Sequence, residues 1–247
     1  MMESIATWFE GLKAEFILNF IEKSRWKMLV TGLENTLVIT FFALLIGIFL
    51  GVIIATVRTT WDQNQRNMRK GLGRTLLKTG DVLCRIYVTV IRGTPVVVQL
   101  MIMYFIIFAT SDNGVMIATL AFGLNSGAYV SEIFRGGILS IDKGQFEAGR
   151  SLGLNYLKTM LYIIAPQVLK TVLPTLANEF IVLIKETSVA GYVAVMDLTF
   201  AGNRIRGVTY SAFMPLIAVA LIYLILVMFF TWLVGKLERR LRQGDNR

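Results

Sequence analysis

Charged and amide side chains recur inside segments of this chain that are otherwise strongly apolar. The clearest set lies between positions 159 and 186, where the polar residues fall within an arc of about 120° if each helical residue turns by about 100°. The members of this arc are Thr171, Thr175, Asn178, Glu179, Lys185 and Glu186. The opposite side carries Leu173, Leu176, Phe180, Leu183 and Ile184. This pattern predicts a helix with one polar stripe and one apolar face.

Two earlier apolar segments carry weaker versions of the same pattern, with polar residues at spacings that share one face of a helix. These residues are Arg92 and Gln99, seven positions apart, and then Asn125, Tyr129, Glu132 and Arg135. A charge at the centre of a bilayer costs about 2.5–3.5 kcal/mol on insertion scales. We therefore expect these side chains to face the interior of a helix bundle or a water-filled cavity.

A cavity that offers Arg or Lys together with Glu or Asn could bind a zwitterion such as an amino acid, because one group binds the carboxylate and the other the ammonium. The alternative is that these residues pair with each other, Glu132 with Arg135, or Glu179 with a cation of a neighbouring helix. The pattern indicates a polar cavity and does not identify the ligand.

The elements that must position these residues are predicted to be about five membrane-spanning helices. Apolar residues make up 55% of the 247 residues and charged residues 17%, whereas an average soluble domain has about 25% charged residues. A spanning helix needs about 20 mainly apolar residues. The predicted spans are 36–57, 86–109, 115–138, 159–184 and 211–235, with a kink at Pro95. The fold class is therefore an all-α integral membrane protein.

The distribution of Lys and Arg predicts the orientation of these spans, because cytoplasmic loops carry an excess of both residues. If the N-terminus is outside, fifteen Lys and Arg residues lie on the inner side and seven on the outer side. The fifteen are in the loops 58–85 and 140–158 and in the basic tail 236–247. We therefore predict an outer N-terminus and a cytoplasmic C-terminus. The same bias accounts for the net charge of +9, so that a nucleic-acid partner is not expected.

Residues 1–29 form a predicted extracytoplasmic segment before the membrane domain, which spans 30–235. Trp8, Leu12, Phe16 and Phe20 follow one another every four residues, a spacing typical of an amphipathic helix at a membrane interface. The alternative for this segment is a disordered leader.

The composition argues against catalysis by this chain. It has no histidine and a single cysteine, Cys84, so that the usual general base and the usual metal ligands are lacking. It also has no Gly-x-x-x-x-Gly-Lys-Ser/Thr phosphate loop. We therefore expect no cofactor and no metal in this chain.

The second inner loop reads Gln-Phe-Glu-Ala-Gly-Arg-Ser-Leu-Gly-Leu over residues 145–154. It resembles the cytoplasmic Glu-Ala-Ala loop of bacterial importer permeases of the ATP-binding-cassette (ABC) class. The matching residues are Glu147, Ala148, Gly153, Ile163 and Pro166, with Gly149 in place of the second Ala and Ala165 in place of Leu. In that family the loop docks in a cleft of the ATPase subunit. An amphipathic helix through Phe146, Leu152 and Leu154 suits such docking; the alternative is an ordinary connecting loop.

Further stretches resemble the polar amino acid branch of that class, so that the resemblance covers most of residues 30–235. They are Thr31-Gly32-Leu33, Asn35-Thr36-Leu37, residues 91–95 with Gln99, residues 129–137 and residues 178–188. The resemblance implies the type I importer fold, a bacterial inner-membrane location, two copies of an ABC ATPase, a second permease (identical or paralogous) and an extracytoplasmic amino acid-binding protein. Membrane lipid is the remaining partner.

The expected function is that of a permease subunit that translocates polar amino acids by alternating access. The expected pathway residues are Arg92, Gln99, Glu132, Arg135, Asn178, Glu179, Lys185 and Glu186, and the expected coupling residues are Glu147, Ala148, Gly149 and Gly153. An ion-coupled secondary transporter is the main alternative, although such proteins often contain inverted repeats and we find none here. An intramembrane enzyme is disfavoured by the lack of catalytic motifs.

Overall fold

The structure is a computed structural model that describes residues 2–65 and 68–243, and all its regular elements within these ranges are helices. The α-helices are α1 (Met2–Phe16), α2 (Trp26–Asn64), α3 (Leu72–Gly93), α4 (Val96–Ile102), α5 (Gly114–Leu139), α6 (Lys143–Ser151), α7 (Tyr156–Thr159), α8 (Ala165–Glu186), α9 (Leu198–Thr209) and α10 (Phe213–Gln243). Single π-helical turns follow α1, α4 and α7, and 3₁₀ turns precede α2 and follow α8.

The expected number of spans is confirmed. Four helical segments in the described part of the chain are long and apolar enough to cross a membrane, and a bent pair of helices brings the total to five. The four are Trp26–Asn64, Gly114–Leu139, Tyr156–Val193 and Phe213–Leu241. Each contains, or nearly contains, one of the predicted spans.

The predicted second span, 86–109, is not one continuous helix. Leu72–Gly93 and Val96–Ile107 meet at an angle of 108°. Thr94 and Pro95 between them are both extended, with ψ of 146° and 134°. Proline lacks an N–H and disfavours helical geometry in the residue before it, so that the Thr94–Pro95 step breaks the helix where the sequence predicted only a kink.

The loop predicted over 58–85 is largely helical, because α2 runs to Asn64 and α3 starts at Leu72. The basic tail is also helical as far as Gln243. Arg66 and residues 244–247 of the predicted inner segments lie outside the described residues. The N-out, C-in orientation stays a prediction.

The bundle is built around a close crossing of α2 and α5. Two Gly-x-x-x-Gly pairs, Gly47 with Gly51 and Gly123 with Gly127, belong to these two helices. A Cβ atom added at Gly51 would lie 2.5 Å from Val130 Cγ1 and 2.9 Å from the backbone N of Ser131. One added at Gly123 would lie 2.8 Å from Ile46. Small residues let helix backbones approach closely in membranes, so that these glycines set the α2–α5 distance.

The start of α2 holds α9 in place. Asn35 Nδ2 donates to Met196 O at 2.9 Å, and the backbone N of Leu198 donates to Thr36 Oγ1 at 3.2 Å. Asp197 is fully buried and caps α9 by accepting from the backbone N–H groups of Thr199 and Phe200. Burial raises the pKa of the Asp197 carboxyl above its usual value, although these two donors oppose the rise. This gives the Asn35–Thr36 pair a structural role.

The N-terminal segment contains the expected helix, α1, with Trp8 60% and Phe16 49% exposed. Phe20 is instead 7% exposed, because it belongs to a core cluster with Leu29 and Ile205. The predicted stripe therefore turns inward at its C-terminal end. Its place at the outer interface stays a prediction.

Candidate functional site

The polar stripe of α8 lies on the outside of the single chain. Thr171, Thr175, Asn178 and Lys185 are exposed, and Glu179 and Glu186 are half-buried. Leu176, Leu183 and Ile184 on the opposite side are buried. Most of the apolar side of α8 therefore packs in the bundle of this chain, although Leu173 is 39% exposed. The polar side faces away from the bundle, except for the half-buried Glu179 and Glu186.

Gln99 braces the break between α3 and α4. Its Nε2 donates to Ile91 O and to Thr94 Oγ1, both at 2.8 Å. Its Oε1 accepts from Asn125 Nδ2 at 3.0 Å, and Asn125 is 3% exposed. Gln99 thus binds a carbonyl at the end of α3 and links the break to α5. This is a structural role for a residue predicted to contact substrate.

Arg92 is exposed at the end of α3, and its guanidinium carbon lies 5.2 Å from the centre of the Tyr129 ring. This contact on α5 orients the guanidinium by a cation–π interaction. Within the described ranges no carboxylate lies at ion-pair distance from Arg92. Its N–H donors therefore remain available to an anionic group.

Glu179 is held by a neutral neighbour. Ser126 Oγ on α5 donates to Glu179 Oε1 at 3.0 Å. Among the described residues Glu179 forms no ion pair, so that the alternative of a cation on a neighbouring helix is not observed. The carboxylate keeps acceptor capacity for a further donor.

Glu132 and Arg135 belong to a cluster of six charged residues that joins α2, α3 and α5. Glu132 pairs with Arg58, and with Arg135 at 3.9 Å. Arg135 also contacts Asp62 at 3.2 Å. Asp62 in turn pairs with Arg85 at 2.8 Å, and Arg85 pairs with Asp81 at 2.8 Å. The pairing alternative therefore describes Glu132 and Arg135.

The other four members of this cluster were not singled out from the sequence. They are Arg58, Asp62, Asp81 and Arg85. A signal was present, because Arg58 with Asp62 and Asp81 with Arg85 are each opposite charges at the i, i+4 spacing of a helix. They were assigned to a loop, where that spacing has no meaning.

The short helix α6 is capped at both ends. Asp142 Oδ1 accepts from the backbone N of Gly144 at 2.6 Å. At the other end Gly153 adopts φ of +75°. The N of Gly153 donates to Arg150 O at 2.9 Å, and the N of Leu154 donates to Gly149 O at 3.0 Å. These two hydrogen bonds together form a Schellman motif, which needs the left-handed conformation that glycine adopts without strain.

The expected apolar face of α6 through Phe146, Leu152 and Leu154 is not formed, because Phe146 and Leu152 lie in different environments. Glu147 and Ala148 are exposed, and so is Leu152 just after the helix, at 77%. Phe146 packs beside Ile163 against the core, so that Phe146 and Leu152 do not form one apolar face. Phe146 anchors the helix to its own chain, and Glu147, Ala148 and Leu152 are available to a partner.

The family model described as the binding-protein-dependent transport system inner membrane component matches residues 47–243. The chain belongs to this family. It is accordingly an inner-membrane component of an ABC transport system with the type I importer permease fold.

Proteins similar to this permease are named as components of amino acid transport systems. It is 33% identical over 230 residues to a putative glutamine transport system permease protein of Rickettsia bellii, covering 92% of this chain and 98% of that protein. The arginine transport system permease protein of Bacillus subtilis is 34% identical, with coverage of 88% and 94%. A crystal structure of an amino acid ABC transporter with histidines is similar with a TM-score of 0.77 and 36% identity, covering 90% of this chain and 98% of that one.

Gly149 of the permease lies against Thr159 with no room for a side chain. A Cβ atom at Gly149 would lie 2.6 Å from Thr159 Cγ2 and 2.7 Å from Thr159 Oγ1. We expect Gly149→Ala to lower the free energy of unfolding by about 1 kcal/mol, as moderate overpacking does, and Gly149→Ala with Thr159→Ala to recover most of it. Thermal unfolding of both variants and of Thr159→Ala alone measures the coupling; strictly additive effects would exclude this contact.

Proposed function

We propose that this chain is the transmembrane permease subunit of an ATP-driven importer that translocates polar amino acids by alternating access. The observation that carries the proposal is the covalent path from α6 to α8. The exposed, doubly capped α6 leads through Asn155-capped α7 and one π-helical turn directly into the helix with the polar stripe. A displacement of α6 therefore reaches the polar residues through one continuous segment.

In this mechanism α6 docks on an ATPase subunit, with two such subunits for two permeases. Glu147 and Ala148 lie in the exposed contact face, Gly149 sets the fit of α6 against Thr159, and Gly153 forms the turn after the helix. The partner ATPase binds ATP and Mg²⁺. Its closure pulls on α6 and turns the polar cavity towards an extracytoplasmic amino acid-binding protein.

The position of the polar stripe supports the proposal of a second permease. Asn178 and Lys185 are exposed on the outer surface of the chain, in a segment apolar enough to span a membrane. A charge in contact with lipid tails is costly, and a second permease facing this stripe would remove it from lipid. The stripes of two chains would then enclose a polar pathway between them.

Within this pathway, Arg92 and Glu179 are the residues best suited to a zwitterionic ligand. Arg92 has no ion-pair partner in the described part of the chain and can bind a carboxylate in a bidentate manner. Glu179 accepts one bond from Ser126 and can accept another from an ammonium group. Asn178, Lys185 and Glu186 extend the wall, while Gln99, Glu132 and Arg135 hold the framework behind it.

Transport in reconstituted vesicles tests the proposed function. The permease is purified with its co-expressed ATPase and binding protein, and labelled amino acids are supplied with the binding protein on one side. We expect uptake that needs ATP on the opposite side and continues when ion gradients are collapsed. Uptake that needs an ion gradient and ignores ATP would establish the secondary transporter instead.

Arg92→Ala and Glu179→Ala are each expected to lower uptake about 10-fold, mainly through KM. A hydrogen bond to a charged group contributes about 1.5–3 kcal/mol, and about 1.4 kcal/mol corresponds to a factor of ten. Arg206→Ala, at an exposed cation on α9, is the matched control. Normal uptake by both pathway variants would remove these residues from the ligand site.

A further inference from the structure

The N-terminal half of α3 has an apolar face that the described part of this chain leaves uncovered. Leu72, Leu76 and Leu83 are 76%, 63% and 61% exposed. Their spacing of four and seven residues places them on one side of the helix. Val88, by contrast, is buried in a cluster with Ile54 of α2 and other core residues. The leucine face therefore points away from the bundle.

Two cations lie on another side of the same helix, about 140–180° around its axis from these leucines. Arg74 and Lys78, one turn apart, line an open cavity of about 440 Å³ together with Thr75, Thr79, Val82 and Leu83. Arg74 Nη1 has a long contact of 3.4 Å with Met68 O. Neither cation forms an ion pair with a carboxylate of the described residues. The cavity thus combines two uncompensated positive charges, two hydroxyl groups and an apolar edge.

Arg85, farther along the same helix, is a cation whose charge is neutralised by neighbouring carboxylates. It pairs with Asp62 and with Asp81, each at 2.8 Å. Asp62 and Asp81 are therefore already engaged by Arg85. Arg69 and Lys70, just before the helix, add further positive charge to this end of α3. An anionic partner matches this surface, and Val82 and Leu83 in the same cavity require part of that partner to be apolar.

We propose that this surface of α3 binds an anionic phospholipid. The lipid phosphate lies against Arg74 and Lys78, with Thr75 and Thr79 as hydrogen-bond donors, and the acyl chains lie against Val82 and Leu83, which line the same cavity farther along the helix. Clusters of basic residues beside a spanning segment attract anionic headgroups, and lysine and arginine extend their charged ends towards the interface while their stems cover apolar surface. The proposal does not depend on which substrate the permease carries.

Lipid retention tests this proposal. The permease complex is extracted from vesicles with equal phosphatidylglycerol and phosphatidylcholine, and the lipids that remain bound are counted by native mass spectrometry. We expect the wild type to retain phosphatidylglycerol preferentially, and Arg74→Gln with Lys78→Gln to lower that preference about tenfold. If the double variant cannot be purified, Lys78→Gln alone tests the proposal, and we expect it to lower the preference for phosphatidylglycerol about threefold.

Arg204→Gln with Arg206→Gln is the matched control, because these exposed cations lie on α9. It should keep the wild-type preference, as should Arg74→Lys with Lys78→Arg, which preserves both charges. An unchanged preference in the neutral α3 variants would overturn the proposal, and so would an equal loss in the α9 control. Lipid retention is read without ATP or amino acid, so that this result is separate from the transport assay.

Discussion

Replacing Glu147 by arginine is expected to lower ATP-driven uptake at least about 10-fold while leaving the permease inserted and folded. Glu147 is exposed on α6 and forms no ion pair within the described part of the chain. Its substitution therefore removes no ion pair and no side-chain hydrogen bond among the described residues. A wrong charge in an interface costs several kcal/mol, and about 1.4 kcal/mol corresponds to a factor of ten. ATP hydrolysis should no longer respond to the amino acid.

The measurement compares uptake and hydrolysis in the same vesicles, with the amount of inserted permease determined separately. Glu10→Arg makes the same charge change at an exposed residue of α1 and should leave both activities coupled. Uptake by Glu147→Arg at the wild-type rate would show that α6 does not enter the ATPase interface.

Gly51→Leu is expected to destabilise the permease more than any other single change considered above, by about 3 kcal/mol. Overpacking usually costs about 1–3 kcal/mol, and this site is at the upper end because backbone is involved. A Cβ at this position already lies 2.9 Å from Ser131 N, and the rest of the leucine has no space unless α2 and α5 separate. The thermal unfolding midpoint in detergent should fall by several degrees.

Gly136→Leu is the matched control, because Gly136 lies on α5 and a Cβ there meets nothing within 4 Å. It should unfold near the wild-type midpoint. Equal stability of Gly51→Leu and Gly136→Leu would mean that the α2–α5 crossing is not the rigid centre of the bundle.

Hydropathy predicted the membrane class and the number of spans, because the cost of exposing polar backbone to lipid leaves few solutions. It could not predict the 108° break at Thr94–Pro95, since proline in a spanning helix produces anything from a slight bend to a complete break. Nor did it show that α2 continues to Asn64, where charged residues end the hydropathy signal but not the helix.

The candidate site was only partly predictable for a different reason. Helical spacing correctly grouped the polar residues of α8, and the family pattern correctly indicated a short helix at α6. Partners on other helices could not be read from spacing. Ser126 holds Glu179 from α5, and Asp62 joins Arg85 of α3 to Arg135 of α5. Such contacts depend on how the helices pack against one another. The spacing of residues within a single sequence does not reveal that packing.

Crosslinking from α6 tests the central claim most directly. Cys84 is the only cysteine, so that Ala148→Cys in a Cys84→Ser background gives one reactive site on α6 for a short bifunctional reagent. Asp112→Cys, in the loop before α5, is the control. We predict that Ala148→Cys captures an ATPase subunit, that added nucleotide changes the yield, and that Asp112→Cys captures none. Failure of Ala148→Cys to capture an ATPase in a complex that still hydrolyses ATP and imports its substrate would contradict the proposed coupling.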